Sequence, residues 1–442
     1  MSSLNAVVTR AMAHAVPGPI EERTLGKVAR KTLSLTRSAA RRQPEVVGVV
    51  LGGSFAKGTW LPGKADLDIF VKFRVGTPEG RFEAVGLGVG RVALRGHPLG
   101  KKYAQHPYTE ATVDGVKVNV VPCYAVARKH WKSAADRSPF HVSVVRRLPT
   151  EQKNEIRLLK LFMISAGVYG AEIQTRGFSG YVAEVLIMNH GTFVEVLRYF
   201  AGLEPAGPGP LFALPDPVDP SRDLGVAVSG DRLATMILAA RAFLSRPSTA
   251  YFGMLQQRVR SSLRGSVVAV VFAHKRLSED ILWGELRRTL KHLVGRAERE
   301  GFRVARSMAA SNNSTKSAFM LIPELARLPD LEQRLGPVVT LREETRSFIS
   351  QNRNRARLFW VDENARVRLL QRRENTSLEA FLKVLAKGDE GPFGASEELA
   401  RAMKKSSRVV SGATLARMSE SETWLNRGVR ELVSDAIGTS VP

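Results

Sequence analysis

The stretch GGSFAKGTWLPGKADLDIFVKF, residues 52–73, is the part of this chain that says most about its architecture. An apolar run at 46–51 precedes it, so the predicted order is a strand, a Gly-Ser turn, a basic segment and an acidic strand. Because side chains alternate faces along a strand, Asp66 and Asp68 are expected on one face, about 7 Å apart, with Leu67 between them pointing into the core.

Two carboxylates at this spacing can share divalent cations. Backbone N–H groups of the Gly-Ser turn at 53–54 can hold the triphosphate that such cations bridge. The pattern therefore predicts a two-metal nucleotidyltransferase. A solvated turn is the alternative, since short motifs such as Asp-x-Asp also match by chance. The apolar strand before the turn favours the functional interpretation.

Composition predicts a polyanionic partner. The 442 residues include 66 Lys and Arg against 42 Asp and Glu, which gives a formal net charge of +24. Such an excess is typical of proteins that bind nucleic acid. Because the excess is spread along the chain, we expect a long basic surface and not a disordered arm.

Three further features of the sequence bear on where in the cell the protein is expected. The single cysteine, Cys123, excludes an internal disulfide and a cysteine-based zinc site, which fits a reducing cytoplasm. The longest apolar run, near 267–273, is too short to span a bilayer, so no membrane association is expected. Residues 1–20 lack the apolar core of a signal peptide and are interpreted as a frayed lead-in.

Apolar periodicity outlines the elements around the first motif. Helical spacing is present at 21–42 and again from about 151 to 167. Alternation at 109–124 predicts a hairpin that turns at Asp114-Gly115.

From residue 266 onward the pattern changes. An apolar strand, an amphipathic helix at 278–300, a strand after Gly301 and a further strand at 318–322 predict an α+β sandwich module. A helical, charged tail is expected after it.

Eight stretches of the chain, in the same order, resemble the archaeal-type, class I CCA-adding tRNA nucleotidyltransferases, which belong to the polymerase-β-like nucleotidyltransferase superfamily. They are GSFAKGTW (53–60), YAQHPY (103–108), GVKVNVVPCY (115–124), KSAADRSPFH (132–141), NEIRLLKLF (154–162), GVYGAE (167–172), RGFSGY (176–181) and DPVDPSR (216–222). The first alone would fit any polymerase-β-type nucleotidyltransferase, whereas together they are specific. Beyond about residue 330 the likeness is weak.

The resemblance implies an α+β fold with three parts after a lead-in at 1–20. A polymerase-β-like nucleotidyltransferase palm would occupy 21–148. A helical central domain that binds nucleotide and tRNA would occupy 149–262, and an α+β body and tail that binds tRNA would occupy 263–442.

The same resemblance assigns a nucleotide site. Gly53, Ser54 and the backbone after them would hold the β- and γ-phosphates, and Lys57, usually Arg in the family, would add a point charge there. Arg222 would read the incoming base. The other nucleotide-contacting positions are Arg137, His141, Lys160, Tyr169 and Ala171. Considered alone, His141 could cap a helix, Lys160 would be a solvated lysine and Tyr169 could belong to the core.

Asp66 and Asp68 would hold two Mg²⁺ ions, and the third carboxylate of the family should stand where this chain has Asn119. That carboxylate binds the catalytic metal and helps to take the proton from the attacking 3′-hydroxyl. Asparagine keeps one carbonyl oxygen but cannot accept the proton, and loss of a general base costs typically ~10²–10⁴ in rate. Asp114 should face away from this site. Glu110, on the opposing hairpin arm, is a candidate to replace the missing third carboxylate.

Three interpretations of Asn119 remain open: an inactivated variant, a natural protein with altered or lost chemistry, and an enzyme that tolerates asparagine. The expected function is template-independent addition of C, C and A from CTP and ATP to the acceptor arm of tRNA in the cytoplasm, and the resemblance allows a homodimer. The alternatives are a related nucleotidyltransferase with another acceptor (oligo- or poly(A) synthesis, or a nucleotide second messenger) and a non-catalytic RNA-binding homologue.

Overall fold

The structure is a computed structural model that describes residues 3–103, 106–205, 210–253, 261–325, 327–387 and 394–434. The chain divides into two compact units, the first of which runs to residue 258 and the second of which covers 259–434. All the predicted site residues belong to the first unit.

The first unit begins with two helices, continues as a mixed sheet and ends in a helical part. Its helices and strands are α1 (Ser3–Ala15), α2 (Pro19–Ala40), β1 (Val46–Gly52), α3 (Gly53–Lys57), β2 (Asp66–Phe73), α4 (Glu79–Ala93), β3 (Leu99–Tyr103), β4 (Pro107–Val113), β5 (Val116–Tyr124), α5 (Ser138–Val145), α6 (Thr150–Ser165), α7 (Gly180–His190), α8 (Phe193–Ala201) and α9 (Gly230–Ser245). Short 3₁₀ helices occupy Ala134–Arg137, Gly225–Ala227 and Thr249–Phe252.

The five-stranded sheet has the order β1-β2-β5-β4-β3. Within it β2 and β5 run parallel, and the other neighbours run antiparallel. Strands β4 and β5 form the predicted hairpin, whose turn has positive φ at Asp114 (49°) and Gly115 (80°), as in a type I′ turn. Asp114 pairs with Lys31 at 3.0 Å and so, as predicted, takes no part in the face that carries Asn119.

One face of this sheet is apolar and is covered by α2 and α4. Leu67 and Ile69 of β2 are fully buried, as are Val118 and Val120 of β5, in a cluster that includes Phe82 of α4. Each such side chain stabilises the fold by roughly 1.5–3 kcal/mol when it is fully buried. A register slip of one residue would bury the acidic face of β2 instead, so the alternation fixes which side chains face outward.

A second core, rich in aromatic rings, lies among α1 and α6 to α9. Phe162 packs against Phe193 and Phe243, with ring centroids 5.5 and 5.7 Å apart. The segment expected to be a frayed lead-in belongs to this core, because it forms α1 and its Ala11 and Ala15 are fully buried there. Leu4, Val7, Val8 and Met12 of the same helix also pack against this core, and their helical spacing is the signal that the sequence analysis did not use.

The second unit contains two antiparallel sheets and the helices that pack on them. After a 3₁₀ helix at Ser261–Ser266, its elements are β6 (Val268–Ala273), α10 (Glu279–Arg299), β7 (Val304–Ser311), β8 (Lys316–Pro323), β9 (Leu331–Val338), α11 (Arg342–Asn352), β10 (Ala356–Val361), β11 (Arg366–Arg372), α12 (Leu378–Lys387), α13 (Glu397–Ser406), β12 (Arg408–Ser411), α14 (Gly412–Ser421) and α15 (Thr423–Leu432). The sheets have the orders β12-β6-β8-β7 and β10-β11-β9.

The α+β character predicted for this unit is confirmed, and β6, α10, β7 and β8 correspond to the four predicted elements. The tail differs from the prediction, because β12 is a strand that pairs with β6 at the edge of the sheet. Four residues are too few for alternation to be recognised in a sequence.

The boundaries predicted at 148 and 262 remain predictions, since the palm and central segments lie in one compact unit. Among the residues that the structure describes, no helix combines the length and the apolar character needed to cross a membrane.

Candidate active site

The parallel pairing of β2 with β5 brings the predicted metal ligands to one face of the sheet. The register places Asp68 beside Asn119 and Asp66 beside Lys117. Asp66 and Asp68 are partly exposed, whereas Leu67 between them is fully buried, as the alternation predicts. The two carboxylates therefore share a face with two side chains of the neighbouring strand.

Asn119 is hydrogen-bonded directly to one of these carboxylates. Its Nδ2 donates to Asp68 Oδ1 at 2.9 Å, while its buried Oδ1 has no donor among the described residues. Burial raises the pKa of Asp68, and the hydrogen bond from Asn119 opposes that shift. The amide thus stabilises the ionised Asp68 in part and leaves one buried acceptor unused.

Lys117 adds a cation that the sequence analysis did not identify. Its Nζ lies 3.2 Å from Asp66 Oδ2 and 4.0 Å from Glu110 Oε2. Glu110 is the cross-strand partner of Asn119 and lies on the same face, where a stand-in carboxylate would have to be. The alternation of β5 was the available signal, because Lys117 is two residues before Asn119.

The Gly-Ser segment approaches the same carboxylate pair through Gly53. This residue has a φ of +64°, and a Cβ built on it would lie 1.9 Å from Asp68 Oδ2. Only glycine combines that backbone conformation with such a close contact. The Gly-Ser turn predicted at 53–54 is instead the start of the short helix α3. The Ser54 carbonyl accepts a hydrogen bond from the N–H of Thr59, just after this helix, at 3.0 Å.

Lys57 and Lys160 meet at one buried carboxylate, Glu184. Lys57 Nζ is 2.7 Å from Glu184 Oε2, and Lys160 Nζ is 3.1 Å from Oε1. Thr59 Oγ1 donates to Oε1 at 2.6 Å, and Lys160 Nζ also donates to the Thr59 carbonyl at 3.1 Å. All four side chains are buried.

Burial and ion pairing act in opposite directions on the pKa values of this cluster. Burial alone would raise the pKa of Glu184, but Lys160 and Lys57 outweigh burial and hold it at about 2. Burial lowers the pKa of Lys160, and the Glu184 carboxylate opposes that shift. Lys160 is only 2% exposed, so the alternative that it is a solvated lysine is excluded.

His141 and Tyr181 form a stacked pair with ring centroids 3.7 Å apart, held by Asp216. The Tyr181 hydroxyl donates to Asp216 Oδ1 at 2.8 Å, and Oδ2 lies 3.5 Å from both His141 Nε2 and Arg222 NH1. Burial lowers the pKa of His141. Burial alone would raise the pKa of Asp216, but the nearby His141 imidazole and hydrogen bonds from Tyr181 and a backbone N–H outweigh burial and lower this pKa to about 2. Lys57 Nζ lies 4.9 Å from the centre of the Tyr181 ring, which joins this pair to the Glu184 cluster.

Tyr169 and Lys160 converge at the first residue of α7. A Cβ built on Gly180 would lie 2.9 Å from the Tyr169 hydroxyl and 3.6 Å from Lys160 Nζ. Tyr169 is half-buried, whereas Ala171 is exposed. The structure therefore places Tyr169 with the buried Lys160. Ala171, two residues after Tyr169 in the chain, lies at the surface.

The partners of the predicted residues were missed from the sequence. Glu184 is a lone acid in the otherwise apolar first turns of α7, a signal that could have been followed. Tyr181 lies in the quoted motif RGFSGY, and Asp216 and Asp219 lie in DPVDPSR. Asp219 accepts a hydrogen bond from Arg137 Nε at 3.0 Å, which places Arg137 at the edge of the same site.

The carboxylate face fits a divalent cation, and it fits one better than two. Asp66 and Asp68 supply the charged oxygen ligands that Mg²⁺ prefers. A second ion would have to rely on the uncharged Asn119 and lie near the Lys117 ammonium, which already contacts Asp66 at 3.2 Å.

The palm-like sheet with its acidic face defines a nucleotidyltransferase. Family models match three consecutive segments: the nucleotidyltransferase domain at 34–141, the second domain of tRNA nucleotidyltransferase at 154–253 and the C-terminal domain of CCA-adding enzyme at 264–412. The chain belongs to the family of archaeal-type CCA-adding enzymes.

Two curated relatives illustrate the membership. The CCA-adding enzyme of Pyrobaculum islandicum is 35% identical over an alignment of 404 positions, which covers 88% of this chain and 95% of that protein. The CCA-adding enzyme of Methanopyrus kandleri is 31% identical over an alignment of 478 positions, gaps included, which covers 98% of this chain and 97% of that protein. A solved structure of the Cid1 poly(U) polymerase covers 57% of this chain and 99% of its own, with 13% identity and a TM-score of 0.43.

Proposed function

We propose that this protein matures and repairs the 3′ end of tRNA by adding C, C and A from CTP and ATP, with release of pyrophosphate and without a nucleic-acid template. The observation that carries the proposal is the contact of Gly53 with Asp68 on the face that also holds Asp66. Such a face can present a triphosphate to a divalent ion. Membership of the CCA-adding family then indicates that the acceptor is the 3′ end of tRNA.

Each group of residues has a separate task in this proposal. Asp66 and Asp68 hold the divalent ion, proposed to be Mg²⁺, which neutralises charge on the phosphates. Ser54 and the backbone around it bind the β- and γ-phosphates. The buried lysines and Tyr169 bind the nucleotide further in, and the positions proposed to contact or read the base are Arg137, His141, Ala171 and Arg222.

Asn119 is proposed to orient the attacking 3′-hydroxyl without deprotonating it. Its Oδ1 lacks a donor among the described residues but is buried, so the Asn119 side chain has to shift toward the surface of the face before that oxygen can accept a hydrogen bond from the hydroxyl. The proton itself needs an ionised acceptor, and the carboxylates of this face are Asp66, Asp68 and Glu110. The reaction is therefore expected to be slower than with a carboxylate at position 119.

The partners and location follow from the same proposal. The net charge of +24 suits the phosphates of a tRNA acceptor arm. A reducing cytoplasm suits Cys123, which is buried and whose pKa burial raises to about 12. A homodimer remains a prediction, which light scattering of the purified protein would test.

A non-catalytic RNA-binding role is the second candidate. Asn119 is hydrogen-bonded to Asp68 and Lys117 is paired with Asp66, and these are the two carboxylates that metal-dependent catalysis requires. Incorporation of labelled CTP and ATP into a tRNA transcript that lacks CCA, with Mg²⁺, separates the two functions. We expect slow but complete addition of CCA by the chain as it stands and faster addition by Asn119→Asp.

Three other results are informative. Equal rates for both proteins would show that the third carboxylate is not needed here. If only Asn119→Asp incorporates nucleotides, the unaltered chain has kept the nucleotide site but has lost catalytic activity. Binding of tRNA and nucleotide without incorporation by either protein would support the RNA-binding role and contradict the proposed function.

A further inference from the structure

Lys117 places its ammonium between two carboxylates of the acidic face. Its Nζ contacts Asp66 Oδ2 at 3.2 Å on one side and Glu110 Oε2 at 4.0 Å on the other. Those carboxylates belong to the two strands that flank β5, so the ammonium projects from the middle strand of three.

The register shows how this arrangement arises. Along β5, Lys117 and Asn119 are the two outward residues that face Asp66 and Asp68 across the parallel pair. Glu110 lies opposite Asn119 on the other side of β5. The face therefore carries three carboxylates around one ammonium and one amide, and its negative charge lies on the flanking strands and not on β5.

Each carboxylate of β2 already has a partner on β5. Asp66 pairs with the Lys117 ammonium, and Asp68 accepts a hydrogen bond from Asn119 Nδ2 at 2.9 Å. A single divalent ion can still bind Asp66 and Asp68 through their remaining oxygen lone pairs. A second one would lie beside a fixed positive charge and would gain no charged ligand from position 119.

We propose that Lys117 takes the place of one of the two metal cations, so that this protein binds a nucleoside triphosphate with one divalent ion per nucleotide. This inference rests on the proposed function, because it assumes that the acidic face receives a triphosphate. The ammonium offsets one of the two negative charges of Asp66 and Glu110, and the single ion would be held by the two Asp carboxylates and the phosphates.

Equilibrium dialysis with radioactive Mn²⁺ and a non-hydrolysable CTP analogue tests the inference without turnover. Protein-bound Mn²⁺ and protein-bound nucleotide are both counted, and their ratio is the readout. We expect a ratio of one for the unaltered protein and two for the double variant Lys117→Gln/Asn119→Asp, which removes the ammonium and restores the carboxylate.

Lys31→Gln is the matched control, because it also removes a lysine that pairs with a carboxylate, Asp114, but away from the acidic face. Its ratio should stay at one. The two single variants, Lys117→Gln and Asn119→Asp, provide further readings if the double variant does not fold, and each should bind the second ion more tightly than the unaltered protein does.

The outcomes are distinct. A ratio of two for the unaltered protein overturns the inference while leaving the proposed function intact, and a fall to one in Glu110→Gln would then assign the third metal ligand to Glu110. A ratio of one in every variant also overturns it. Absence of any bound nucleotide contradicts the proposed function itself, and the inference with it.

Discussion

Lys57 Nζ and Glu184 Oε2 lie 2.7 Å apart although 127 residues separate them in the chain. The contact joins α3, which follows the first strand of the sheet, to α7 of the helical part, and both residues are buried. Lys160 and Thr59 complete the coordination of the same carboxylate. The contact therefore links α3 to the helical part of the first unit through ionised groups that have little solvent to replace a missing partner.

Replacing Glu184 by Gln should destabilise the protein by about 3–5 kcal/mol, because it leaves two buried ammonium groups without a counter-charge. The measurement is the free energy of urea unfolding. Glu195→Gln is the control, since that exposed residue pairs only at the surface with Arg198. The control should change stability by less than about 0.5 kcal/mol, and equal effects of both substitutions would contradict the importance of the buried cluster.

The same carboxylate should make stability depend on acid pH. The pKa of Glu184 is about 2 in the folded protein against an ordinary value of 4.5. A lowered carboxyl pKa contributes stability that is fully present above pH 4.5 and is lost as the pH falls toward 2. Urea unfolding of the unaltered protein and of Glu184→Gln over this interval should therefore converge. A constant difference between them would show that Glu184 is not ionised when buried.

Gly53→Ala should weaken nucleotide binding on the order of tenfold or more, because the new Cβ would lie 1.9 Å from Asp68 Oδ2 and displace that carboxylate. Gly63→Ala is the matched control, since Gly63 has a similar φ of +67° but no atom within 4 Å of its built Cβ. Isothermal titration with a non-hydrolysable nucleotide and Mg²⁺ provides the comparison. Equal losses in both variants would attribute the effect to backbone strain alone.

Asp216→Asn should lower the affinity for CTP and ATP roughly tenfold, because the charge that holds His141 and Arg222 is lost while Tyr181 keeps an acceptor. Both groups lie 3.5 Å from Asp216 Oδ2. Asp231→Asn, an exposed substitution on α9, should leave both affinities unchanged. An unaltered affinity in Asp216→Asn would mean that Arg222 finds its position without this carboxylate.

Binding of tRNA should weaken steeply as salt is raised. A protein that neutralises several phosphates releases the counterions bound to them, and the logarithm of the association constant then falls in proportion to the logarithm of the salt concentration. The net charge of +24 provides the cations for such contacts. Filter binding of a tRNA transcript at increasing KCl measures the slope, and an affinity independent of salt would exclude phosphate contacts as the main source of binding.

Features that depend on neighbouring residues could be predicted from the sequence. The hairpin that turns at Asp114-Gly115 and the outward pair Asp66 and Asp68 both follow from alternation and turn chemistry, which act over a few residues. Glu184 could not be predicted as the partner of Lys57, because no local pattern relates positions 127 residues apart.

The residues of the site likewise divide into those that the sequence indicated and those that only the structure brought together. Asn119 and the named nucleotide-contacting residues were predicted by resemblance, whereas Lys117, although it lies in a quoted motif, was missed because its importance depends on two carboxylates from other strands. The strand β12 was missed for a related reason, since its four residues acquire their structure only by pairing with β6.

The late position of β12 in the chain has a consequence for synthesis on the ribosome. Arg408 of β12 pairs with Val271 of β6, which lies 137 positions earlier in the chain. Until residues 408–411 have left the exit tunnel, β6 carries an open hydrogen-bonding edge, which is the part of a sheet most prone to pair with another chain. A nascent chain that stalls before this point would therefore expose an aggregation-prone strand edge, to which chaperones would be expected to bind.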